Sequence, residues 1–192
     1  MSLVFSEATH TYTWAGQVVP SVTGILRPLS DYSRINPEVL EIARDRGTRV
    51  HLATELDDAG NLDEASVTDD VAPYLAAWRK FKADRGVVVL EAEARVYHGA
   101  HRYAGTLDRV LGLDDGHEYL CDLKATAQIM SAVGPQTAAY HAAYGVEKLR
   151  RAVLQLKADG TYRWVELKNP RDWIVFQACL LVHRFKQESS HV

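Results

Sequence analysis

Asp122-Leu123-Lys124 is where this 192-residue chain most plainly offers chemistry. It lies in His117 to Ala125, an apolar run that reads as a β-strand. Residues i and i+2 of a strand share a face, so Asp122 and Lys124 point one way and Cys121 and Leu123 the other. Charged side chains in apolar surroundings are costly unless paired or bound to an ion. The preceding turn brings in a second carboxylate. Asp114-Asp115-Gly116 suits a three-residue hairpin loop with Gly in the left-handed position. Pairing then reflects about position 115 and sets Asp108 opposite Asp122, with Cβ atoms roughly 5 Å apart. Two carboxylates that close repel unless a divalent cation binds between them. Oxygen ligands favour Mg²⁺ or Mn²⁺ over softer metals. The same residues also allow a plain ion pair, Asp108 or Asp122 with Lys124, on a solvated sheet face.

Weaker candidates surround this core. A two-residue loop at Ala100-His101 would put Glu93 opposite Asp108, as a further ligand, an acid just behind the site, or a solvated strand residue. Glu55 follows His51 by four residues and shares its helical face, where a surface acid is the plainer reading. His98, His101, His117 and His141 show no metal-ligand spacing, and the four tryptophans read as core.

These residues need a scaffold. Thr9 to Trp14 and Gln17 to Val19 read as short strands around an Ala15-Gly16 turn, and Ser21 caps a short helix to Leu26. Asn36-Pro37-Glu38 opens a helix bearing Val39, Leu40, Ala43, Val50 and Leu52. A polar loop from Asp57 to Thr68 precedes a helix from Asp70 to Arg85, with Val71, Leu75, Trp78 and Phe81 at helical spacing. Val87 to Tyr97 starts apolar on both faces and reads as a central strand. Tyr103 to Leu113 and His117 to Ala125 follow as strands, then a helix from Gly134-Pro135 to Gly145. Arg151 to Lys157 and Tyr162 to Leu167 form a hairpin, and Asn169-Pro170 caps a last helix. The expected fold is α/β, with a mixed central sheet flanked by helices: a three-stranded antiparallel meander, then a helix, then further strands. Residues 1–192 read as one domain, with N-terminal strands over 1–36, a helical segment over 37–86 and the sheet core over 87–192.

Gly105-Thr106-Leu107-Asp108, then Asp122-Leu123-Lys124, then Gln136-Thr137-Ala138-Ala139-Tyr140 resembles the PD-(D/E)XK nuclease superfamily. The branch it is most similar to holds bacterial recombination exonuclease domains and phage lambda-type exonucleases. That branch carries a Gly-x-x-x-His helix upstream, matched by Gly47 to His51. The resemblance implies a restriction-endonuclease-like core. It implies His51, Asp108, Asp122 and the Leu123 carbonyl as ligands of one or two Mg²⁺ or Mn²⁺ ions. It makes Asp108, Asp122 and Lys124 catalytic, with Lys124 orienting or deprotonating the attacking water. Gln136 and Tyr140 would brace the site and touch the DNA backbone. Ser21 and Thr23 match a Ser/Thr element that meets a phosphate in these nucleases, although Ser21 also serves as a plain cap. Arg27 and Arg34 would receive a DNA end. The implied activity is metal-dependent hydrolysis of DNA phosphodiesters, as an exonuclease of phage or prophage recombination type. Implied partners are linear double-stranded DNA, a single-strand annealing protein and further copies of the chain. A structure- or sequence-specific endonuclease and a non-cleaving nucleic-acid-binding module stay open as alternatives. One branch holds an iron–sulfur cluster on four cysteines; this chain has two, so no such cluster is expected.

Composition sets the outer limits. With 47% hydrophobic and 24% charged residues, a disordered or fibrous protein is excluded. Cys121 and Cys179 read as buried thiols in a reducing compartment. The sequence shows no secretory signal pattern and no run near the roughly 18 apolar residues of a membrane span, so no membrane association and a cytoplasmic location are expected, the host's if the chain is phage-encoded. The net charge of −3 hides an uneven spread: Val50 to Trp78 carries seven acidic residues and no Lys or Arg, which leaves +4 on the rest.

Overall fold

The computed structural model describes residues 2–31, 33 and 35–189. Two sheets organise the chain. Strands β1 (Leu3–Ser6), β2 (Thr11–Trp14) and β3 (Gln17–Val19) form a small antiparallel sheet. Strands β4 (Val88–His98), β5 (Tyr103–Gly112), β6 (Glu118–Lys124), β7 (Arg150–Leu156) and β8 (Tyr162–Glu166) form a larger sheet in that order. It is mixed: β6 and β7 run parallel, and every other neighbouring pair is antiparallel. A parallel step needs a crossover element, and α4 (Val133–Tyr144) supplies it, ending at Gly145 with φ 79°.

Each helix has a local reason. The short α1 (Val22–Ile25) is capped by Ser21, whose Oγ accepts from the Gly24 N–H. Helix α2 (Pro37–Asp58) starts at Asn36, which caps Glu38 N–H, and runs unbroken through Gly47. Helix α3 (Ala72–Asp84) buries Leu75, Trp78 and Phe81, the spacing seen in the sequence. Helix α5 (Arg171–Ser189) starts where Asn169 accepts from Arg171 N–H. No helix among the described residues is long and apolar enough to cross a membrane.

The larger sheet has a core on each face. On one, α2 and α3 set Val50, Leu75, Trp78 and Phe81 against Tyr119, Cys121, Leu123 and Leu154. On the other, α1, α4 and α5 set Val22, Ile25, Tyr140 and Phe176 against Leu107, Val110 and Leu120. Cys121 and Leu123 therefore face α2 and α3, as the alternation of β6 requires. Both cysteines are free and buried.

Three expectations need correction. Strand β1 was not read from the sequence; it pairs with β2 from Leu3↔Trp14 to Ser6↔Thr11. Strand β4 is an edge, not a central strand, and its apolar start leaves Val88 59% and Leu90 46% exposed. The stretch from Asp57 to Thr68, expected as a loop, begins with the last two residues of α2 and holds a single 3-10 turn at Glu64–Ser66.

Candidate metal centre

Strands β5 and β6 pair in the register read from the turn, from Gly112↔Glu118 to Arg109↔Cys121. The ladder stops one step before Asp108 and Asp122. There the Leu123 N–H donates to Asp108 Oδ2 at 2.7 Å instead of to a main-chain carbonyl. A carboxylate thus takes the place of a ladder bond, and its other oxygen, Oδ1, lies 3.8 Å from His51 Nδ1.

Glu93 comes to the same place from β4. Pairs Ala92↔Arg109 and Ala94↔Leu107 set it across from Asp108, as the loop symmetry around Ala100-His101 implies. Its backbone is left-handed, with φ 49°, which costs a non-glycine residue about 1 kcal/mol or more. Glu93 Oε1 lies 4.0 Å from His51 Nδ1.

His51 completes the cluster from α2. Its Nε2 is 3.1 Å from the Leu123 carbonyl oxygen. A carbonyl only accepts, so Nε2 carries a proton and Nδ1 faces the carboxylates. Ligand atoms of His51, Glu93 and Asp108 all lie within 4.8 Å of one another. Two carboxylates and one imidazole nitrogen suit a hard divalent cation. Burial lowers the His51 pKa, but Asp108 and Glu93 outweigh it and leave it raised.

Asp122 stands on β6 beside this cluster, 1% exposed. Lys124 Nζ approaches Asp122 Oδ2 to 2.7 Å and pairs with the buried carboxylate. Burial pushes the Asp122 carboxyl up to about 6, against the pull of Lys124 and with the push of Asp108.

A cleft of about 410 Å³ opens onto Glu93 and Asp108. Ser21, Thr23, Glu55, Gln136 and Tyr140 all line it, so the structure brings these sequence candidates together. Gln136 Nε2 donates to the Tyr140 hydroxyl at 3.4 Å, one helical turn away. Gly105 lets Tyr140 in: a Cβ at 105 would stand 2.5 Å from Tyr140 Cε1. Ser21 is both cap and cleft wall. Arg27 is not brought to this cleft; it faces His183 and Lys186 in another. Arg34 lies outside the described residues. Against the expected ligand set, Glu93 takes a full place in the cluster, Asp122 lies beside it, and the Leu123 carbonyl is engaged by His51.

Sequence reading missed two cationic residues. Arg95 lines the cleft. Arg109, next to Asp108, is fully buried and touches Asp58, Thr54, Glu93 and the Asp108 carbonyl. It also changes the meaning of the acidic stretch. Asp57 and Asp58 both meet Lys82, Asp57 and Glu64 meet Arg79, and Asp70 meets Arg49. Much of that negative charge is paired within the fold. The available signal was an Arg directly after a candidate catalytic Asp, too common a dipeptide to mark.

Comparison with known proteins adds little. No family model matches the chain, and no curated protein does. Among solved structures, one titled "Crystal structure of SSO0001" aligns over 74% of this chain and 69% of its own, at 14% identity and a TM-score of 0.37. A likeness that loose bears on neither fold family nor function.

Proposed function

We propose that this chain is a divalent-cation-dependent deoxyribonuclease with a restriction-endonuclease-like core of the PD-(D/E)XK type, acting as an exonuclease on linear double-stranded DNA. Asp122 carries the reading. It is a buried carboxylate, 1% exposed and paired with Lys124, beside three residues able to ligate an ion. The cation site supports metal dependence; the choice of DNA as substrate rests on the sequence resemblance.

His51 Nδ1, Glu93 and Asp108 would hold Mg²⁺ or Mn²⁺, with Asp122 as the adjoining carboxylate. Such an ion supplies what the side chains lack, a Lewis acid that offsets phosphate charge and acidifies water. Lys124, held against Asp122, brings a positive charge to the reacting phosphate and orients water for in-line attack. Gln136, Tyr140 and the Ser21 and Thr23 hydroxyls line the approach and offer polar contacts to the DNA backbone. Arg95 adds a cation to the same wall.

The test uses end-labelled linear DNA and covalently closed circles, with and without Mg²⁺, for the unaltered chain and Asp122→Ala. Mg²⁺-dependent shortening of linear DNA alone, lost in the variant, is the expected result. Cutting of circles would make the enzyme an endonuclease. No Mg²⁺-dependent cleavage of either substrate would overturn the nuclease reading.

A further inference from the structure

Arg109 is 0% exposed, in a class of residue almost never buried without partners. Its partners divide into a rear and a forward set. At the rear, Nε donates to Asp58 Oδ2 at 3.0 Å and one terminal nitrogen to Thr54 Oγ1 at 3.2 Å, both from α2. Asp58 is itself held, by Trp78 Nε1 at 2.9 Å and by Lys82 at 2.8 Å. The guanidinium carbon lies 5.8 Å from the centre of the Trp78 ring. The rear set therefore fixes the guanidinium plane, and Asp58 balances its charge.

The forward set reaches the metal centre. The other terminal nitrogen donates to Glu93 Oε1 at 3.2 Å and to the Asp108 carbonyl at 2.7 Å. Two of the three clustered residues are thus gripped by one atom. Glu93 needs the grip. Its side chain is 32% exposed and its backbone is held in a left-handed conformation. A solvent-facing carboxylate on a strained residue relaxes toward water unless its surroundings over-determine it.

We propose that Arg109 is the positioning residue that holds Glu93 in the cation site, transmitting the rigid α2–α3 packing through Asp58. The inference rests on the reading of His51, Glu93 and Asp108 as that site. Lysine cannot replace it, because one ammonium group cannot span Asp58, Thr54, Glu93 and the Asp108 carbonyl.

The test is Mn²⁺ binding to the full chain, measured by titration calorimetry, for the unaltered protein, Arg109→Lys, Glu93→Gln and the double variant. Arg109→Lys should weaken Mn²⁺ binding at least about tenfold, as loss of a ligand's supporting partner does. In the Glu93→Gln background the same change should cost less than about twofold, since the anionic ligand it positions is gone. Equal weakening in both backgrounds, or none in either, overturns the positioning role. If the unaltered chain binds no Mn²⁺, the site reading falls and this inference with it, a result separate from the variant comparison. Should Arg109→Lys fail to fold, Thr54→Val removes one of the bonds that anchor Arg109 at nearly constant volume, along with the Thr54 hydroxyl's bond to the His51 carbonyl, which the comparison with and without Glu93 separates. It should weaken binding about threefold with Glu93 present and not without it; no change with Glu93 present overturns the proposal.

Discussion

His51 on α2 donates from Nε2 to the Leu123 carbonyl of β6 at 3.1 Å, joining a helix to a strand 72 residues later. That bond decides which nitrogen faces Asp108 and Glu93. It also answers how a carbonyl expected among the metal ligands is used: at least one of its lone pairs serves the imidazole.

His51→Ala should therefore weaken Mn²⁺ binding at least about tenfold while the circular dichroism spectrum stays unchanged. Unaltered affinity would remove His51 from the ligand set.

Asp122→Asn should separate stability from activity. The buried carboxylate costs the ion-free fold, because its carboxyl is pushed up to about 6 and is still largely ionised at neutral pH. Because a carboxyl raised in the fold costs stability above its unfolded value, neutralising it should raise the ion-free chain's stability by about 1 kcal/mol, measured by urea unfolding in EDTA. Any Mg²⁺-dependent cleavage should fall at least about a hundredfold. A less stable variant would mean that the contact with Lys124 outweighs the burial.

Gly105 tests the packing behind the cleft. A methyl group there meets Tyr140 Cε1 at 2.5 Å and Val22 Cγ2 at 3.3 Å. Gly105→Ala should cost about 2 kcal/mol, the range of overpacked cores. Much of that should return when Tyr140→Leu is added and the ring is gone. Additive losses in the double variant would refute the steric account.

Asp57 gives the acid limb of stability. Burial pushes its carboxyl up, but hydrogen bonds from Lys82 and Arg79 prevail and hold it below its ordinary value. A depressed carboxyl contributes stability that is complete above the unfolded value of about 3.9 and is lost as pH falls through the lower folded value. Asp57→Asn should lower the urea midpoint at neutral pH, and the gap to the unaltered chain should narrow by about pH 3. A gap independent of pH would place the effect in packing rather than charge.

The meander was legible because its determinants are local. Asp114-Asp115-Gly116 sets the β5–β6 register, and the turn around Ala100-His101 sets that of β4–β5. Together they put Glu93 and Asp108 side by side without knowledge of the rest of the fold. The cap residues Ser21, Asn36 and Asn169 were legible for the same reason: each acts within three residues of itself.

Other features had no local signature. Whether β4 lies at an edge depends on which strand fails to pair with it, and hydrophobicity alone does not say. Glu55 and Asp58 look alike in the sequence, yet Glu55 lines the cleft while Asp58 anchors Arg109.

By itself, then, the sequence determined the order of elements from β2 onward, the β4–β5 and β5–β6 registers beside their turns, and the residue types available for an ion. The tertiary structure alone decided the assembly of the cluster. It brought His51 against Leu123, set Arg109 behind Glu93 and buried Asp122 against Lys124. Turns and caps are settled by backbone conformation over a few residues. Desolvation and ion pairing depend on every atom that excludes water, and those atoms come from helices and strands far apart in the chain.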